Sequence, residues 1–224
     1  MEIRFSDIIL KAAPEIRTII ISAGIVNRPT SDELWHEVEE VAGSVKSRYQ
    51  LSDIRLRPAI AATRNAYKAL GKEPNRYRPS AEALCRRVVN GKGLYRLTTM
   101  VDIINLVSMA TGYSIGGFDA DRIEGDSLTL GAGMHEEEFH AIGRGLLNIE
   151  GLPVYRDAAG PIGTPTSDEE RTSLSEETVR VLMLVNVYGE ETPVEETIAL
   201  TRRLFERYAS ATDFHAEVVA PKTV

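Results

Sequence analysis

Three polar residues inside one apolar segment carry the clearest chemical signal in this chain. Thr98, Asp102 and Asn105 are spaced by four and three, so on a helix they share a face, while Val101, Ile104 and Val107 fall on others. Buried without partners, each would cost roughly 1–3 kcal/mol, so they belong to a hydrogen-bond network or to the wall of a pocket. As a wall, Asp102 offers acceptors and Asn105 both donors and acceptors, a set suited to an ammonium or a hydroxyl. Two other clusters could complete the lining. Arg78, Ser80 and Glu82 surround a helix start, where free amides favour an anion. Arg171, Thr172 and Glu177 precede a long apolar strand. Each has a structural alternative: Ser80 as a helix cap, Asp102 and Asn105 as stitches from loop to core, Arg171 in a surface ion pair.

The remaining reactive residue types point elsewhere. His135 and His140 stand five apart among carboxylates, missing the i, i+4 spacing that aims two ligands at one zinc, so no metal is expected. Cys85, the single cysteine, lies among Leu84, Val88 and Val89 and reads as a small core residue. It excludes an intrachain disulfide and a thiolate zinc site. Gly91-Lys92-Gly93 lacks the rest of a phosphate loop, and no Gly-x-Ser-x-Gly elbow is present, so no nucleotide cofactor is expected.

The elements that must hold these residues follow from periodicity. Ile16–Ile21 is a β-branched run that predicts a buried strand. Thr30-Ser31-Asp32-Glu33 supplies capping chemistry for a helix to about Tyr49, with Leu34, Val38, Val41 and Val45 at helical spacing. Pro58 opens a second helix that stops at Gly71. A loop rich in helix breakers, Glu73–Pro79, leads to Ser80, expected to cap the helix Ala81–Val89, and the polar-seam helix Thr98–Thr111 comes next. Strands are then expected at Tyr113–Phe118, Ser127–Gly131, Pro153–Arg156 and Thr178–Tyr188, followed by a helix from Thr192 to about Ala211 and an edge strand at Phe214–Val219. In the Thr178–Tyr188 segment, Val179, Val181, Met183, Val185 and Val187 predict one uniformly apolar face opposite a mixed one. Helices first, strands later and no regular strand–helix alternation predict an α+β fold, a mainly antiparallel β-sheet core flanked by helices.

With 224 residues, 43% hydrophobic and 26% charged, the composition is that of an ordinary globular protein, and one domain spanning residues 1–224 is expected. No apolar run approaches the roughly 18 residues of a spanning helix, and the N-terminus lacks a signal-peptide pattern, so no membrane association and a cytoplasmic location are expected. The net charge of −7 hides an asymmetry. Between Gly43 and Met100, 13 basic residues meet only Asp53, Glu73 and Glu82, a local charge of +10 that leaves −17 on the remainder. Such a split points to an anionic partner or to ion pairs across the fold. Arg55, Arg57, Arg64, Lys72, Arg76, Arg86, Arg87 and Lys92 are the candidate RNA-binding cations.

Val101-Asp-Ile-Ile-Asn105, followed by Gly117-Phe-Asp-Ala-Asp-Arg-Ile-Glu-Gly-Asp126 and by Thr172-Ser-Leu-Ser-Glu-Glu-Thr-Val-Arg-Val-Leu182, resembles the B3/B4 tRNA-editing module of the phenylalanyl-tRNA synthetase beta subunit. The similarity runs roughly from Arg57 to Gly189, and the rest of the synthetase has no counterpart, so the chain is similar to free-standing relatives of the module. The resemblance implies a β-sheet core flanked by helices and a pocket that hydrolyses the ester of a mischarged amino acid, with tRNA or aminoacyl-tRNA as partner. A complete tRNA ligase is not expected. The family's site histidine precedes the Phe-Asp turn, and Gly116 occupies that position here. The family's glutamate corresponds to Glu177, with Glu176 as the neighbouring register, and the resemblance implies water activation by Glu177 or substrate-assisted attack. The competing expectation is a protein that binds or hydrolyses an amino acid-like small molecule without RNA.

Overall fold

In the computed structural model, which describes residues 1–221, the first half of the chain runs β1 (Glu2–Phe5), α1 (Asp7–Ala12), β2 (Arg17–Gly24), α2 (Asp32–Arg48), α3 (Pro58–Ala69), α4 (Ser80–Val89) and α5 (Thr99–Thr111). The second half adds β3 (Ile115–Asp119), β4 (Ser127–Ala132), β5 (His140–Ala141), β6 (Gly145–Leu146), β7 (Pro153–Arg156), β8 (Pro161–Gly163), β9 (Arg180–Val187), α6 (Val194–Tyr208) and β10 (Thr212–Val219). The fold is α+β with mainly antiparallel sheets.

The central sheet has the order β10-β2-β9-β3 and is antiparallel throughout, with Ile20 opposite Leu184 and Gly117 opposite Met183. Its inner strands are apolar on both faces, and both faces are covered. Ile19, Ile21, Val181, Met183, Val185 and Val187 pack under α2, α4, α5 and α6. Ile20, Phe118, Leu182 and Leu184 pack against Leu128, Leu130, Tyr155 and Ile162 of a second sheet, ordered β1-β4-β7-β8. The "mixed" face of β9 is therefore a second core face, and buried Asn186 on that strand donates to the Ser114 carbonyl at 2.9 Å. Val179, expected on the apolar face, precedes the strand and is exposed.

Local chemistry starts the helices where expected, with one correction. Ser31 caps α2 by accepting from the Leu34 amide, and Pro58 is the first residue of α3. Ser80 is not a cap. Pro79 holds that position and Ser80 is the first helical residue, its amide bonded to the Pro165 carbonyl at 2.8 Å. Its hydroxyl is thus left free for other work. β1, α1, β5, β6 and β8 were not foreseen; they are short, and β1 is held by parallel pairing with β4, distant in sequence.

Candidate functional site

A cleft of about 400 Å³ opens between α4, α5, β3 and the segment around residues 166–174. Leu84, Val101, Ile104, Ile142 and Leu174 give it apolar walls, while Ser80, Asn105, Ser108 and Asp168 supply polar groups. Asn105 comes from the middle of α5, and neither its carboxamide nor the Ser80 hydroxyl has a hydrogen-bond partner among the described residues. Two of the residues singled out by type and spacing therefore meet in one cavity with unspent polar capacity.

Asp168 is the acid of this cleft, and sequence reasoning missed it. One carboxylate oxygen accepts the Gly117 amide at 3.1 Å. The other lies against Gly116 and Gly163: a Cβ on Gly116 would fall 3.2 Å from it and 2.6 Å from Phe118 Cζ, and one on Gly163 would fall 2.8 Å and 2.7 Å from the same atoms. Two side-chain-free positions thus make the slot in which the carboxylate sits. Burial pushes its carboxyl up to about 7, opposed only by the Gly117 amide. The available signal was Asp168 in a polar run after Gly163, but nothing local in that run says which side chain turns inward.

The other members of the seam do not reach the cleft. Asp102 is buried and accepts from the Thr30 hydroxyl at 2.5 Å and the Leu97 amide at 2.9 Å, stitching two loops to the start of α5. Burial raises its carboxyl, while these donors and Arg96 oppose the shift. Thr98 precedes α5 with its hydroxyl buried and unpartnered. Arg171 is bound to Asp157 through two nitrogens at 2.8 and 3.0 Å, and Thr172 is buried in the adjoining turn. Glu177 lies on an exposed turn before β9, outside the cleft. Gly116 lies on β3, next to the cleft residues Ile115 and Gly117.

Beside the cleft, and sharing Ser80, Leu84, Asn105, Arg144 and Thr166 with it, runs a groove of about 510 Å³ lined by Arg78, Arg86, Arg87, Lys92 and Arg144 and, among the described residues, by no acidic one. Lys92 and Arg144 have no ion pair among the described residues. Arg87 lies 4.2 Å over the ring of Tyr95, which is 68% exposed. Arg78 lies 3.5 Å from Glu82.

The local charge of +10 is only partly available. Arg57 is buried, paired with Glu191 and donating to the Met109 carbonyl and to Cys85 Sγ. Arg64 is buried on Glu82 at 2.8 Å, and Lys72 is buried with its ammonium on the Asn148 and Glu150 carbonyls. Arg55 and Arg76 are exposed, Arg76 over Tyr77, and Arg86 is half-buried, donating to the Leu51 carbonyl. Cys85 is buried with its thiol pushed up by burial. His140 is exposed beside Glu138, and no group of three or more metal-ligating side chains forms among the described residues.

The family model of the B3/4 domain matches residues 62–209, which include α4, α5, the cleft and β9. The chain belongs to the B3/4 domain family. No curated protein matches it. Among solved structures, an N-terminal fragment of the phenylalanyl-tRNA synthetase beta-subunit from Pyrococcus horikoshii is similar at a TM-score of 0.46 and 13% identity, covering 97% of this chain and 50% of that one. This B3/4 protein therefore spans half the length of that fragment. No helix among its described residues is long and apolar enough to cross a membrane.

Proposed function

We propose that this B3/4 protein binds the aminoacylated end of a tRNA in the cytoplasm and hydrolyses the aminoacyl ester in trans, using the cleft for the amino acid and the groove for the RNA. The carrying observation is the shared wall: a groove with five cations and no acid borders a cleft of amino-acid size. Guanidinium and ammonium groups along the groove neutralise phosphates, and the exposed Tyr95 with Arg87 against its ring offers a face on which an unpaired base stacks. Inside the cleft, the Asn105 carboxamide and the Ser80 hydroxyl hold the ester carbonyl while water attacks it; the acyl bond to the ribose oxygen breaks and one proton of the water passes to that oxygen, releasing the free amino acid and the uncharged tRNA. No protein nucleophile is needed. Glu177 stands on an exposed turn and does not line the cleft, so on this reading Glu177→Gln keeps its turnover; loss of turnover would return water activation to that carboxylate.

The decisive experiment is deacylation of correctly charged and mischarged tRNAs by the purified protein at low and moderate salt. Hydrolysis that weakens as salt rises is expected. Five phosphate contacts on a single strand give a slope of about −3.5 in log affinity against log salt. Undetectable tRNA binding at low salt would remove the RNA half of the proposal. The second reading, a small amine-binding or hydrolytic protein, is favoured by the apolar-walled cleft taken alone and is marked by ligand binding that ignores the groove cations.

A further inference from the structure

The cleft holds an acid that no cation is paired with among the described residues. Asp168 makes no ion pair among the described residues, and the Gly117 amide is the single hydrogen-bond donor on its carboxylate. Arg144 is the other ionisable side chain lining the cleft, and it makes no ion pair with Asp168. The remaining surroundings are the bare backbones of Gly116 and Gly163, the Phe118 ring and apolar walls.

Buried Asp102 also lacks an ion pair but accepts from two donors, the Thr30 hydroxyl and the Leu97 amide, and two further acids have cations. Glu82 has Arg64, Arg78 and Arg86 around it, and Asp157 is gripped by Arg171. An acid left without a counter-ion at the wall of a cavity either keeps its proton or takes a counter-ion that arrives with the ligand.

We infer that Asp168 is the anchor for a primary ammonium group of the ligand, and that the cleft selects α-amino acyl groups with an unblocked amine and an apolar side chain. This rests on the reading of the cleft as the amino-acid site and identifies what it recognises. The ammonium meets the edge of the Asp168 carboxylate that lines the cleft, the acyl carbonyl turns to Asn105 and Ser80, and the side chain lies against Ile104, Ile142 and Leu174. An acyl group whose nitrogen is acetylated or formylated has no charge to offer and leaves Asp168 unpaired, so it is rejected.

Leucinamide and phenylalaninamide, each beside its N-acetyl counterpart, test this by calorimetry at pH 7.5 on the wild-type protein and on Asp168→Asn. The free amines are expected to bind at least tenfold more tightly than the acetylated forms, and Asp168→Asn is expected to erase that difference. The comparison within wild type does not depend on how well the variant folds. Equal binding of blocked and free amines, no binding of either, or an undiminished preference in Asp168→Asn would each overturn the inference. Binding of uncharged tRNA, followed in parallel, reports on the groove alone, so failure of the ammonium anchor and failure of the RNA reading are told apart.

Discussion

Replacing Asp168 by Asn should make the protein more stable, and by an amount that grows with pH. The carboxyl titrates near 7 in the folded chain against an ordinary 3.8, so the folded state holds its proton more tightly than the unfolded state does. Below about pH 4 the group is protonated in both states and costs nothing. As pH climbs from about 4 to 7 the unfolded chain releases the proton first, folding loses stability, and above about 7 the full loss is in place. Three pH units at about 1.4 kcal/mol each set an upper figure of about 4 kcal/mol. Because Asp168 keeps an edge open to the cleft, about 2–4 kcal/mol is the working expectation. Asn keeps the shape and can still accept the Gly117 amide, so little else changes. Urea unfolding of both proteins from pH 4.5 to 8 measures the difference, in which the titration of all shared carboxylates cancels. The variant should gain on wild type by up to about 1.4 kcal/mol per pH unit through the middle of that range. Parallel profiles would refute the claim that burial without a cation governs this acid.

Glu82→Gln should destabilise by about 3–5 kcal/mol in chemical denaturation, because it strips the charge that offsets buried Arg64. Asp102→Ala should cost about 2–3 kcal/mol by leaving the Thr30 hydroxyl and the Leu97 amide without their acceptor, while the free amine ligands still bind. Arg87→Glu combined with Lys92→Glu should leave the melting temperature within a few degrees of wild type. The same pair should weaken tRNA binding at least tenfold in filter-binding assays and flatten its salt dependence. Gly116→His should lower the melting temperature and abolish amine binding, since its Cβ would enter the space of Phe118 and Asp168.

Fold class, the five longer helices and the strands of the central sheet were legible because their signals are local: period-3.6 apolar spacing, Pro58 at a helix start, Ser31 as a cap, β-branched runs. Asn105 and Ser80, which line the cleft, were legible as candidates for a related reason, since a polar residue in an apolar helix and a hydroxyl at a helix start stand out against their neighbours. What the same local pattern could not do was separate Asn105 from Asp102, three residues earlier. Both lie on one helix, yet only the folded chain puts Thr30 and Leu97 against Asp102 and an open cavity against Asn105. Nor could charge counting separate Arg64, buried on Glu82 and held to the carbonyl of Pro74, from Arg87 on the groove. Asp168 was invisible because its character depends on Gly116, Gly117 and Phe118, some 50 residues away, and on desolvation that no neighbour in sequence reveals. Sequence by itself determined the longer helices, the strands of the central sheet and which residue types could do chemistry. Tertiary structure alone decided which of those groups are spent on one another and which are left free, because pairing and burial are set by contacts between distant segments.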